Sequence, residues 1–238
     1  MTSFAHTAHP QLVALWLSCF GWTLTAMALG LDQWRVWLVS DRDIITSGMA
    51  WVGLWRACFH SHTVVSPGSG FTHCRSISLT EAFTPPEIVS GQILMVLSFV
   101  VGLLGNAGGI YALRNTYFGL EANTPVRLSF CAAGALCLLA AAISLIPLMW
   151  NLSSVVTNQT IAFPPEFQLP AAPQSQYVGY SISLGVVGTV LMFASGIIFC
   201  RYKLPQRQAP SVTSSPEHDG ADSGGGRENT AFEFNEHF

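Results

Sequence analysis

Charged residues are scarce in this chain of 238 residues: Asp, Glu, Lys and Arg together make up 10% of it, and hydrophobic residues make up 50%. A soluble globular domain normally carries about 25% charged residues. The shortage is uneven, because several long segments contain no charged residue at all. This composition argues against an ordinary soluble domain, and we expect no nucleic-acid partner.

The charge-free segments predict four transmembrane helices. About 20 helical residues cross the ~30 Å hydrocarbon core of a bilayer, at about 1.5 Å per residue. One charge at the bilayer centre costs about 3 kcal/mol, so charge-free segments of this length indicate membrane spans. The predicted spans are 11–31, 88–113, 128–150 and 177–200.

The first ten residues, MTSFAHTAHP, contain no Lys or Arg. A cleaved signal peptide would have a basic region there, followed by a shorter apolar stretch. We therefore expect the first segment to remain as a transmembrane helix.

Lys and Arg are distributed unevenly around the four segments. They occur in 114–127 and after residue 200, whereas 151–176 contains neither and has one acid, Glu166. The positive-inside rule then predicts that both termini are cytoplasmic. Loop 32–87 contains four arginines, but five acids balance them. The prediction places 1–10, 114–127 and 201–238 in the cytoplasm and 32–87 and 151–176 outside the cell.

Two of the six cysteines, Cys58 and Cys74, lie in the predicted extracellular loop 32–87. Cys58 could be a nucleophile, a metal ligand or half of a disulfide. Because an extracellular loop matures in an oxidising compartment, a Cys58–Cys74 disulfide is the favoured interpretation. Closing a loop of about fifteen residues would contribute about 3 kcal/mol to stability.

Three histidines lie close to these cysteines: His60, His62 and His73. If their side chains converged, they could bind zinc or respond to pH. Solvated loop histidines are the favoured reading, and we predict no metal site and no cofactor.

The first loop has the residue pattern of a small β-sheet. Residues 34–39 alternate aromatic and apolar side chains, DIIT at 43–46 is β-branched, and 50–60 is rich in aromatic residues. The turn sequence SPGSG at 66–70 would place Cys58 and Cys74 on paired antiparallel strands. Four apolar residues are predicted on the sheet face nearest the membrane: Trp34, Trp51, Leu54 and Trp55.

Trp34, then Gly53-Leu54-Trp55, then Cys58 and Cys74 form a series similar to the W…GLW…C…C motif of the claudins. Arg75 directly after the second cysteine, and SLIPLMW at 144–150, also resemble claudins. The resemblance covers about residues 10–204. It implies an all-α membrane bundle with a small β ectodomain: a left-handed four-helix bundle under an antiparallel sheet built from both extracellular loops.

The resemblance also implies a function. Claudins polymerise in cis and adhere in trans at tight junctions of the plasma membrane, where they seal the paracellular space or form ion-selective pores. The expected partners are therefore the chain itself, other claudins and membrane lipid. An auxiliary subunit of an ion channel or receptor, built on the same fold, is the alternative. No enzyme is expected, since the sequence has no G-x-S-x-G, H-E-x-x-H or P-loop motif.

Charge selectivity depends on fixed charges close to the two cysteines. Cation-pore claudins tend to carry a carboxylate after the first cysteine or just after the second, but 59–62 and 75–77 contain no acid here. An aqueous pore selects cations through fixed negative charge. The sequence therefore predicts a barrier and not a cation-selective pore, with Asp41 and Asp43 as the main counter-evidence.

Four further residues are candidates for contacts or modification. Asn158 begins an N-x-T sequon and is a glycosylation candidate, whereas the sequon at Asn151 abuts the membrane. Phe163 is predicted to make the trans contact, with packing on the first-loop sheet as the alternative. Cys200, next to Arg201, is a palmitoylation candidate. Phe238 ends a tail expected to be disordered from Pro205 on; binding to a PDZ scaffold is doubtful, because the ending departs from the family's Tyr-Val.

Overall fold

A computed structural model describes residues 2–40, 45, 48–61, 71–118, 123–170 and 172–202. Its helices are α1 (Thr2–Gly30), α2 (Pro86–Phe118), α3 (Asn123–Val156) and α4 (Tyr180–Cys200), with a short 3-10 turn at Pro165–Phe167. Its strands are β1 (Arg35–Leu38), β2 (Met49–Val52), β3 (Arg56–Ser61), β4 (Phe71–Ser76) and β5 (Ser175–Val178).

Several sequence predictions fall outside the described residues. These are the strand at 43–46, with the exception of Ile45, the turn at 66–70, and the tail from 203 to 238. The same holds for the side chains of Asp41, Asp43, His62 and Phe238.

The four predicted helices are confirmed, and each is long and apolar enough to cross a membrane. Helix α3 extends the predicted segment 128–150 by several residues at both ends. The predicted start of the last segment at Tyr177 is wrong for the helix, because Tyr177 lies in β5 and α4 begins at Tyr180. At Gly179, between β5 and α4, a Cβ atom would collide with the carbonyl of Gln33, so the chain passes directly against the backbone that precedes β1.

The helices form a ring in which α1 packs against α2 and α4, and α3 packs against the same two helices. Gly21 of α1 and Gly188 of α4 bring these helices into backbone contact, because a Cβ on either residue would lie 2.6 Å from the other's carbonyl oxygen. Small residues allow this close approach in membrane helices. Polar side chains also pair inside the bundle: Ser144 and Thr189 lie 3.0 Å apart, and Ser195 donates to the Ala14 carbonyl.

All five strands form one antiparallel sheet in the order β4-β3-β2-β1-β5. Four strands come from the first loop and β5 comes from the second, which confirms the prediction that both loops build the sheet. The inner face packs on the ends of the helices, and its buried core includes Trp37, Val52 and Phe59.

Side-chain alternation corrects the prediction for Trp51. Its strand neighbours Ala50 and Val52 are fully buried on the inner face, so Trp51 lies on the outer face, where it pairs with Cys58. The same alternation separates two of the histidines. His60 contacts Trp51 on the outer face, whereas His73 stacks on Phe59 on the inner one, so these two do not converge.

We expect Gly188→Ala to destabilise the bundle by about 1–3 kcal/mol, because the new methyl group would force two helix backbones apart. Thermal unfolding in detergent would measure the loss. Gly30→Ala is the matched control, since a Cβ at Gly30 meets nothing within 4 Å. Equal stability of the two variants would contradict the close α1–α4 contact.

Candidate functional site

The candidate site is the junction between the sheet and the helix ends, and a buried ion pair lies at its centre. Arg35 of β1 and Glu87 of α2 are almost fully buried, and Arg35 Nη2 lies 2.9 Å from Glu87 Oε1. Two residues one turn apart on α3 also belong to the network. Asn151 Oδ1 accepts from Arg35 Nη2 at 3.2 Å, and Ser154 Oγ donates to Glu87 Oε1 at 2.8 Å.

This network joins three separate elements: β1, the first turn of α2 and α3. The Asn151 amide also donates to the Glu87 carbonyl at 2.8 Å and to the Pro147 carbonyl at 3.0 Å. Burial lowers the pKa of the Arg35 guanidinium, while the hydrogen bond and charge of Glu87 oppose this shift. The guanidinium stays charged, because its ordinary pKa lies far above neutrality. Either charge alone would be costly to bury, so the two are retained as a pair.

Two motif tryptophans bind the end of α1. Trp34 Nε1 donates to the Ala28 carbonyl at 2.8 Å, and Trp55 Nε1 donates to the Leu29 carbonyl at 3.1 Å. Both carbonyls belong to the last turn of α1, where the backbone has no partner within the helix. The predicted inner position of Trp34 and Trp55 is confirmed, and the two indoles supply part of the C-terminal cap of α1.

Gly53 and Leu54 explain the rest of the GLW sequence. A Cβ at Gly53 would lie 2.7 Å from the Asp32 Cα, so only glycine allows these backbones to meet. The Leu54 side chain is fully buried and fills the space in which a side chain at Gly91 of α2 would lie. Its carbonyl accepts from the Gln92 amide at 2.7 Å. The motif therefore fixes the β2–β3 connection onto α1 and α2.

Cys58 and Cys74 form a disulfide between directly opposed residues of β3 and β4, with their Cα atoms 4.1 Å apart. Asp32 lies close to both sulfur atoms. Because the sulfurs are bonded to each other, they are not the thiolates that a metal would require.

Two further ion pairs lie on the surface. Arg56 binds Asp32 through Nη2 at 2.8 Å and Nε at 3.2 Å. Arg75 of β4 reaches the second loop, where Nη2 lies 2.6 Å from Glu166 Oε2 and the guanidinium lies 5.4 Å from the Phe167 ring centre. Each described arginine of the first loop thus has a carboxylate partner.

A model of the family described as "PMP-22/EMP/MP20/Claudin tight junction" matches residues 19–201, which include this whole junction. The chain belongs to this family. It is 25% identical to claudin-3 of Rattus norvegicus over 215 residues, 88% of this chain and 91% of that protein. It is 27% identical to human claudin-2 over 192 residues, 80% and 76% of the two chains. Human claudin-4 is 24% identical over 200 residues, 84% and 89% of the two chains.

In this claudin-family chain, Phe163 lies in an aromatic cluster under the sheet. Its side chain is buried, and its ring centre lies 5.5 Å from that of Trp37, 5.7 Å from Phe83 and 5.1 Å from Phe167. These are the contacts expected if Phe163 packs on the first-loop sheet, which was the alternative to a trans contact. The trans contact stays a prediction, and it would require the ring to leave this cluster.

The two modification candidates lie on the surface. Asn158 follows α3, is exposed and has a left-handed backbone with φ of 53°. The other sequon differs, because the Asn151 side chain is buried in the ion-pair network and a glycan on it would not fit the folded structure. Cys200 is exposed at the last residue of α4. Glycosylation and palmitoylation stay predictions.

Sequence reasoning missed the central network. It counted Arg35 and Glu87 only among the balanced charges of loop 32–87, and it assigned no role to Gln92. The available signal was position: Glu87 lies in the first turn of α2 directly after two prolines, where a carboxylate is favourable. Nothing in the linear sequence pairs it with Arg35, which lies 52 residues earlier.

We expect Glu87→Gln to lower the free energy of unfolding by about 3–5 kcal/mol, because it leaves the buried Arg35 charge without its counter-charge. Thermal unfolding and the yield of folded protein would measure this. Asp32→Asn is the matched control at an exposed pair, where the expected loss is about 1 kcal/mol or less. Equal losses would contradict a special role for the buried pair.

We expect Trp55→Phe to cost about 1 kcal/mol, since it removes the hydrogen bond to the Leu29 carbonyl and keeps most of the ring. Thermal unfolding would measure this loss as well. Trp51→Phe is the control, because Trp51 lies on the opposite face of the sheet from the end of α1. Unchanged stability of Trp55→Phe would contradict a stabilising role for this hydrogen bond.

Proposed function

We propose that this chain is a tight-junction protein that polymerises with itself and with other claudins, in cis and in trans, and seals the paracellular space. It is not a cation-selective pore. The absence of cation selectivity is supported by ion pairs in the described part of the sheet and loops. There, Arg35, Arg56 and Arg75 each bind a carboxylate.

Cation selection requires fixed negative charge that faces the conducting water and is not neutralised. Three of the four described carboxylates of the two loops do not meet this requirement: Glu87 is buried, and Asp32 and Glu166 are each paired with an arginine. The fourth, Glu81, is half-buried and has no arginine partner among the described residues. The two segments next to the cysteines, 59–62 and 75–77, carry no acid. We infer that the charges next to the disulfide offer little net attraction to sodium, whereas Asp41 and Asp43 lie outside the described residues.

The proposed location is the plasma membrane at tight junctions, with both termini in the cytoplasm and the sheet outside the cell. The Lys and Arg distribution supports this orientation, and so does the disulfide, which needs an oxidising compartment. The names of the relatives and of the family support the junctional location. Glycosylation at Asn158, palmitoylation at Cys200 and adhesion through Phe163 belong to the proposal.

Expression in an epithelial monolayer that lacks its own claudins tests the proposed function. We expect higher transepithelial resistance, staining along cell borders, and dilution potentials with little preference for sodium over chloride. A mock-transfected monolayer is the control, and surface biotinylation confirms delivery.

Strong sodium preference would contradict the barrier assignment. Unchanged resistance despite surface delivery would contradict polymerisation and favour the alternative, an auxiliary subunit of a channel or receptor. Co-purification with a channel protein would then be the next observation to seek.

A further inference from the structure

Glu166 is the only charged residue in the second loop, 151–176, and the structure places it against Arg75. Arg75 Nη2 lies 2.6 Å from the carboxylate, and Nη1 donates to the Glu166 backbone carbonyl at 2.8 Å. The guanidinium also lies over the Phe167 ring, at a distance suited to a cation–π contact. Three contacts therefore hold one cation in a single position.

This pair faces water. The side chain of Arg75 is 50% exposed and that of Glu166 is 68% exposed, in contrast to the buried Arg35–Glu87 pair. Exposed ion pairs contribute little to folding stability. Their effect on the field is different, because two opposite charges in contact largely cancel each other at distances greater than their separation.

We propose that Glu166 is a specificity-determining residue that neutralises Arg75. Without Glu166, Arg75 becomes a fixed and uncompensated positive charge on the edge strand β4, and the surface favours anions. Without Arg75, Glu166 becomes an uncompensated negative charge and the surface favours cations. The consequence for ion passage rests on the proposed barrier function, whereas the neutralisation itself does not.

The local potential can be measured without a junction, on intact cells that express the full chain. Pro165→Cys places a thiol on an exposed position directly before Glu166. Its rates of reaction with anionic sulfonatoethyl and cationic trimethylammonioethyl methanethiosulfonate report the local charge. Adding Glu166→Gln should speed the anionic reagent and slow the cationic one, each by about two- to fivefold, as one unit charge about 4–10 Å away in water would do.

Arg75→Gln should shift both rates in the opposite direction, and the double variant Arg75→Gln/Glu166→Gln should return them to the parent values. Arg75→Lys is the charge-retaining control and should leave the ratio of the two rates near that of the parent. Unchanged rates in Glu166→Gln would overturn the inference, because they would show that Glu166 does not compensate Arg75.

The same variants in the claudin-free monolayer test the consequence for ions. Dilution potentials should move toward chloride with Glu166→Gln, toward sodium with Arg75→Gln, and back to the parent value with both. If the parent raises resistance but Glu166→Gln leaves the potential unchanged, the inference fails and the barrier function stands. If the parent raises no resistance, the barrier function fails, and the thiol rates still decide whether Glu166 neutralises Arg75.

Discussion

The buried Arg35–Glu87 pair is the contact on which the arrangement of this molecule depends. Arg35 is the first residue of β1, and Glu87 lies in the first turn of α2. Asn151 and Ser154 of α3 form hydrogen bonds with these two charged groups. A guanidinium cannot lose its charge to escape burial, so the elements must meet wherever its partner lies. We therefore expect the pair to fix the position of the sheet relative to two helices more strictly than apolar packing alone would.

Around this pair, the tryptophan motif performs a different task. Apolar packing has no strong directional preference, but an indole N–H requires an acceptor at a defined place. Trp34 and Trp55 use carbonyls of Ala28 and Leu29 that α1 itself leaves without partners. One set of residues thus completes a helix end and orients the strands that follow it. The family motif therefore connects the end of a membrane helix to the sheet.

The helices and the disulfide could be predicted from the sequence, because their signals are local. A membrane helix is indicated by about twenty residues without charge, and a disulfide by two cysteines in one predicted extracellular loop. The predicted inner position of Trp51 was wrong, since local composition does not say which of two neighbouring strand residues faces inward. Tyr177 was assigned to the last helix because the sequence does not distinguish a strand residue next to a membrane span from the first residue of the span. The pairing of Arg35 with Glu87, and of Arg75 with Glu166, depends on contacts between residues far apart in the chain, and no spacing rule predicts those.

The second loop has a mechanical consequence for the sheet. Its strand β5 pairs with β1 at one edge of the sheet, and Glu166 pairs with Arg75 on β4 at the other edge. The segment between Glu166 and β5 therefore connects the two edges of the sheet. A change in the length of this segment would act on both edges at once, although the segment forms no strand of its own.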